Sequence, residues 1–243
     1  MKTHNAKRFL IGGFLLMMIV VTGGNLTQAQ SCTVYWTGNA GTDVWGTAGN
    51  WSTNEVPGPT SDVCILKAPS TGSVDTTGTS SISVNSIQVG TGVGLAFGTG
   101  QTASIATTLN SQGYLTMFGP TTVSAASVDV QSGSLVGSGT IEGSLTNSGY
   151  MAPTAGTFTV TGNYTQTSGG ELSLQYWDVA AVYVDQEASL SGTLVVAVNP
   201  KHPPKPGSTY TIMTFSSHSG EFTSVSQGFS LEYSNTSIVV VYQ

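Results

Sequence analysis

The chain has 243 residues, 39% of them hydrophobic and only 7% charged, with 31 glycines and a pI near 4.7. So few charges exclude a charge-rich disordered segment and a coiled coil, and the length is ample for a buried core without a structural metal. A net charge of −6 leaves no electrostatic footprint for a phosphate backbone, so nucleic acid is not expected as a partner.

In chain order, Lys2, Lys7 and Arg8 precede a 13-residue apolar run from Phe9 to Val21, and Thr27-Gln28-Ala29 places small residues where a leader is cut. Residues 1–29 therefore read as a secretory signal peptide. As a helix the run would reach about 20 Å, short of the ~30 Å hydrocarbon core, so no membrane span is expected after cleavage. Export predicts an extracellular or cell-surface protein, with the periplasm as a further possibility. Removal of the leader leaves Lys67, Lys201 and Lys205 against twelve acids, a net charge of −9 with no arginine. Cys32 and Cys64 are the only cysteines, and an oxidising compartment makes one disulfide the economical reading. Closing a loop of about 33 residues would stabilise by roughly 3–4 kcal/mol in the chain-entropy picture.

Residues 30–70 form a tryptophan-rich segment with Tyr35, Trp36, Trp45 and Trp51. Two readings compete. Exposed rings could stack on sugar faces, with Asn50 and Asp43 bonding hydroxyls, as in a carbohydrate-binding module. Alternatively the rings cap the end of a stacked β structure, whose open edges otherwise invite association. The block's position ahead of the first coil favours the cap. Trp177, with Tyr176 and Asp178, poses the same choice.

From Ile82 onward, apolar residues alternate with Ser and Thr in short runs ended by Gly, Asn or Ser: Ile82-Ser83-Val84, Leu115-Thr116-Met117, Val128-Asp129-Val130, Leu172-Ser173-Leu174 and Leu194 to Val198. Period two over three to six residues is the signal of a half-buried strand, and no helical period is sustained. Leu109-Asn110-Ser111-Gln112-Gly113-Tyr114 recurs loosely 36 residues later as Leu145-Thr146-Asn147-Ser148-Gly149-Tyr150. A spacing of 18 or 36 would be one or two coils of a solenoid. Residues 71–165 are read as those coils, and residues 166–243 as a C-terminal section continuing the stack. Within it, Asn199 to Gly207 carries four prolines and two lysines and reads as an extended, solvated connection.

Two blocks carry a family resemblance. Residues 35–65 run as Trp, Gly-rich turn, Trp, Asn-Trp-Ser, Val-Pro, Asp and Ile. This resembles the opening segment of many bacterial secreted β-helix proteins. Residues 137–225 contain Gly137-Ser138-Gly139-Thr140-Ile141-Glu142-Gly143, Thr159-Val160-Thr161-Gly162-Asn163-Tyr164, and Leu190-Ser191-Gly192-Thr193-Leu194, ending at Gly220-Glu221-Phe222. This part is similar to the C-terminal region of an autotransporter-type passenger. The resemblance implies an all-β fold, a right-handed parallel β-helix with an N-terminal cap, and a structural or adhesive role. It brings no catalytic set, and no translocator barrel of that family is expected here.

Catalytic motifs are lacking. A pectate-lyase-like site needs calcium-binding carboxylates and a basic residue, and the mature chain has no arginine. Asp178 with Asp185 or Glu187 is the nearest grouping for a glycosidase pair, and it reads better as a solvated turn. His202 and His218 have no metal-spaced partners. No cofactor and no metal are expected. The expectation is an exported non-enzymatic β-helix, structural or adhesive, with polysaccharide or surface proteins as partners. The alternatives are a carbohydrate-binding module using exposed tryptophans and, third, a glycoside-active enzyme.

Overall fold

Alternation of apolar and hydroxyl residues gives each short strand one dry side and one wet side. In Thr122-Val123-Ser124 and Thr140-Ile141-Glu142 only the middle residue is buried. A chain of such segments hides its dry sides by coiling round them, and that is what the computed structural model shows. It describes residues 31–79, 81–175 and 181–243. The fold is a parallel β-solenoid of about six turns, with coils stacked directly on one another.

Three faces surround the core. The first begins with Val34–Tyr35 and Asp62–Ile65, passes through Ser86–Val89 and Thr108–Ser111, and ends with Tyr164–Gln166, Glu187–Leu190 and Ser217–Gly220. The second runs from Ser73–Asp75 and Gly94–Phe97 to Glu171–Gln175, Thr193–Ala197 and Ser224–Val225. The third runs from Ile82–Val84 and Thr102–Ile105 to Ala181–Val184 and Thr209–Thr214. Two central rungs, Tyr114–Val130 and Ser134–Asn147, wrap all three faces as single long strands. The next rung is made of Tyr150–Val160 and Tyr164–Gln166.

Inward positions stack like on like. Leu95, Leu115, Leu135, Met151, Leu172 and Leu194 form one buried column. Ala103, Val123, Ile141, Val160 and Val184 form another. Each large apolar member contributes on the order of 1.5–3 kcal/mol by leaving water. The 36-residue echo has a direct cause: Leu109 pairs with Val128, which pairs with Leu145, and Tyr114 pairs with Ser134, which pairs with Tyr150. The repeat is two rungs.

Between the first and second faces the chain turns tightly enough to exclude side chains. A Cβ on Gly133 would overlap the Gly113 carbonyl oxygen. That carbonyl accepts the Ser134 amide at 3.0 Å, and Gly133 repeats the contact with Tyr150 at 2.9 Å. Inside the first face lies a polar patch. The Tyr164 hydroxyl donates to Gln166 Oε1 at 2.6 Å, and Asn147 Nδ2 and Gln166 Nε2 donate to the carbonyls of Glu171 and Thr193, each at 3.0 Å. Burial pushes the Tyr164 phenol far above its ordinary pKa, so it stays a donor.

The parallel columns include Asp62–Ile65 within the tryptophan-rich segment and continue beyond residue 166 as far as Ser224–Val225. The chain then reverses. Ser237–Tyr242 pairs antiparallel with Thr209–Thr214, and Phe229–Tyr233 adds antiparallel to it.

Candidate functional site

The tryptophan segment is folded inward. Trp36, Trp45 and Trp51 are 3%, 1% and 1% exposed. Trp51 packs edge-on against both others, with ring centroids 5.0 Å from Trp36 and 4.7 Å from Trp45. Its indole N–H donates to the Trp45 carbonyl at 2.8 Å, which satisfies the buried donor. The alternative of an exposed tryptophan platform, set beside the favoured cap, is therefore corrected, since these faces lie against one another and the core. Asn50 is also fully buried. Its Nδ2 donates to the carbonyls of Thr42 and Val44, and its Oδ1 accepts from the Ala40 amide. With every polar group engaged in holding the cap loop, Asn50 has none for a ligand. Cys32 and Cys64 form a disulfide with Cα atoms 5.7 Å apart, tying the start of the described chain to the first-face column. Tyr35 is the exposed aromatic of the group. Trp177, Tyr176 and Asp178 lie outside the described residues.

Asp43 does structural work at the rim of the cap. Its carboxylate accepts the Ser70 amide at 3.0 Å, the Ser70 hydroxyl at 2.7 Å and the Thr71 amide at 2.7 Å. Desolvation, the largest single influence, pushes its pKa up, but the hydrogen bonds from Ser70 and Thr71 together outweigh it, so the carboxyl titrates below its ordinary range. Lys67 donates to the Thr37 carbonyl at 2.9 Å across the same loop.

The remaining titratable groups are dispersed. Among the described residues no three His, Cys, Asp or Glu side chains gather as a metal site. Glu187 accepts the Ser219 hydroxyl at 2.8 Å, and Asp185 is exposed. His202 lies exposed in the proline-rich connection. His218 stacks on Tyr233 with centroids 5.7 Å apart. Burial pushes the Tyr233 phenol up, the hydrogen bond it accepts from the Phe222 amide offsets part of that, and the Glu221 charge adds a smaller upward push. No helix among the described residues is long and apolar enough to cross a membrane.

The outward surface holds a feature that inspection of single motifs missed. On the third face, Thr102, Thr122, Thr140 and Thr159 occupy one column on successive rungs. Beside them, at the corner with the second face, the central rungs differ in length. Gly137 pairs with Met117 and Gly139 with Thr121, so Ser138 alone faces three residues, Phe118 to Pro120. On the other side Gly137 pairs with Pro153 and Gly139 with Phe158, so Ser138 also faces residues 154–157. Both glycines take positive φ, 125° and 144°, and a Cβ on either would strike the carbonyl oxygen of the rung beneath. The shortened corner sinks between two longer ones and leaves a trough of about 440 Å³ lined by Pro120, Thr122, Ser138, Thr140 and Thr159. Outward along the second face the same rung carries small residues, Ser134 and Val136, between Tyr114 and Phe118 on one neighbour and Tyr150 on the other. Those three rings are 52%, 53% and 39% exposed. A second hollow of about 520 Å³ lies across Phe118, walled by the turns at Thr77–Thr79 and Gly98–Gln101.

Fold and surface together define a capped parallel β-solenoid with a hydroxyl-lined trough at one corner and exposed aromatic rings on the face beside it. No family model, curated protein or solved structure matches the chain.

Proposed function

We propose that the chain is an exported, non-enzymatic scaffold acting structurally or adhesively at the cell surface or outside it. The observation that carries this reading is the sealed N-terminal end: three buried tryptophans and a disulfide close a rigid stack whose outer positions are mostly uncharged hydroxyls. Disulfide bonding fits an oxidising compartment, and the apolar leader and the passenger-like motifs point the same way. A capped stack whose outward positions are mostly uncharged hydroxyls presents contact area while its closed end leaves neighbouring copies few free strand edges to pair with.

Protease shaving of intact producing cells, with fractionation of cells and medium, tests it. The expected result is protein in the medium or digestible at the surface, lacking its leader. Full-length protein confined to the cytosol with free thiols overturns the proposal. Turnover of a glycoside that Asp178→Asn abolishes overturns its non-enzymatic part.

A further inference from the structure

We propose that the trough along the Ser134–Asn147 rung binds a single chain of a neutral polysaccharide. The inference deepens the adhesive reading and rests on it for its biological setting, but not for its chemistry. Three independent features of the surface converge on this class of ligand.

The first is shape. From Ser134 to the corner at Ser138 the floor of the site follows four residue steps of the second face, about 13 Å at the rise of an extended strand, and at the corner it opens into the trough over Ser138 to Thr140. That suits an oligosaccharide segment and exceeds a monosaccharide. Its walls belong to rungs two strand spacings apart, about 9.5 Å from backbone to backbone. Subtracting van der Waals contact leaves room for one chain between Tyr114 and Phe118 on one side and Tyr150 on the other.

The second is chemistry. Sugars present apolar C–H faces and hydroxyl edges together, and a site for them pairs aromatic rings with hydrogen-bonding groups. The rings here are exposed while the interior of the solenoid is filled, so they are not spare core residues. The hydroxyls of Thr122, Thr140 and Thr159 make no side-chain hydrogen bond among the described residues and can bond a ligand, whereas Thr121 next to them is spent on the Gly98 and Phe118 carbonyls.

The third is charge. Every residue lining the trough and the hollow beside it is uncharged. Glu142 stands beyond Thr140 on the same rung, and Glu171 pairs with Tyr150 on the next. An acidic polymer meets repulsion at both places with no cation to offset it, while a neutral chain does not. The threonine column alone resembles a regular array for ordered water, but the exposed Phe118 and Pro120 adjoin it at the corner and Glu142 interrupts the column beside it, so it is not a uniform neutral plane.

Affinity electrophoresis of the purified full chain through gels containing mixed-linkage β-glucan, xylan, glucomannan or dextran, with polygalacturonate as the anionic comparison, tests this. At least one neutral polymer should retard the protein and polygalacturonate should not. Phe118→Ala and Tyr150→Ala should each weaken retardation on the order of tenfold. Ser134→Trp, which fills the space between Tyr114 and Tyr150, should abolish it. Tyr35→Ala, an exposed aromatic on the cap, should leave it unchanged. Circular dichroism and melting of each variant separate lost binding from lost folding, and the two alanine variants, at exposed rings, decide the matter if the tryptophan variant is unstable. The proposal is overturned if no neutral polymer retards the protein, if only polygalacturonate does, if retardation survives Ser134→Trp in a folded protein, or if the protein inhibits ice growth and ignores every saccharide. Protein found outside the cell that ignores all neutral polymers loses this inference and keeps the scaffold reading.

Discussion

The two ends of the solenoid solve one problem by different means. A stack of parallel coils ends in unpaired strand edges and an open core, both of which must be covered. At the N-terminal end the cover is bulk and covalency: Trp36, Trp45 and Trp51 close the core, Asn50 knits the loop over them, and Cys32–Cys64 ties the loop down. At the C-terminal end the cover is more backbone. Ser237–Tyr242 runs back antiparallel along Thr209–Thr214, and Phe229–Tyr233 extends that sheet. The hairpin covers one face, whereas on the first face Ser217–Gly220 is the last strand paired among the described residues. A buried aromatic cap seals the core itself, while an antiparallel hairpin extends one wall. The difference predicts that the stack frays from its C-terminal end and is pinned at its N-terminal end.

Removing the centre of the cap should be the most damaging test of that contrast. Trp51→Ala empties a fully buried site between two other indoles and is expected to cost about 3–5 kcal/mol. For a chain of this size that is on the order of 10 °C in melting temperature. Differential scanning calorimetry checks it, and a change below about 1 kcal/mol would mean that the cap does not close the core. Cys32→Ser with Cys64→Ser comes next, expected to cost roughly 3 kcal/mol through the longer reach of the unfolded chain. Reduced wild type should melt with the double variant. Phe229→Ala, in the hairpin and packed on the partly buried Tyr242 with centroids 5.3 Å apart, should cost less, about 2 kcal/mol, because the ring keeps 8% of its surface exposed where Trp51 keeps 1%. Native-state hydrogen exchange sharpens the comparison further: amides of Ser217–Gly220 should exchange well before those of Asp62–Ile65. The reverse order would break it.

Much of the fold was legible in the residues, and the reasons are specific. Alternation in Leu115-Thr116-Met117 reports a strand with one buried side, and the recurrence of Leu109 to Tyr114 at Leu145 to Tyr150 reports two rungs because a longer rung, Tyr114 to Ser134, is followed by a shorter one, Ser134 to Tyr150, and the two lengths compensate. The period blurs toward the C-terminal end, where the proline-rich connection before Thr209–Thr214 lengthens a turn. The cap was legible as a block but its exposure was not. An Asn-Trp-Ser string serves a sugar platform or a plug equally well, and only packing of Trp51 between Trp36 and Trp45 decides which. The trough was not legible at all. It exists because one residue, Ser138, faces three on one side and four on the other, and register between rungs is a property of stacking that no local pattern displays.

The smallest expected effect is electrostatic and tests how the cap loop is held. The Asp43 carboxylate accepts three hydrogen bonds from Ser70 and Thr71, and its pKa lies below the ordinary value in the folded protein. A group whose pKa is depressed by folding contributes stability that is fully present above its unfolded pKa, about 3.9, and is lost as pH falls through the lower folded value. The cap should therefore hold from neutral pH down to about 4 and loosen below that. Asp43→Asn keeps one acceptor oxygen but no charge, so it should lower the melting temperature slightly at neutral pH and flatten the remaining dependence on acid. Because the carboxylate sits at the surface, solvent screens much of its interaction, and the effect should stay well under that of Trp51→Ala. Melts of both proteins at pH 7 and pH 3 measure it. A wild-type protein whose acid sensitivity is unchanged by the substitution would place that sensitivity elsewhere, and the Ser70–Thr71 contacts would then be packing around a loop already fixed by the disulfide and Asn50.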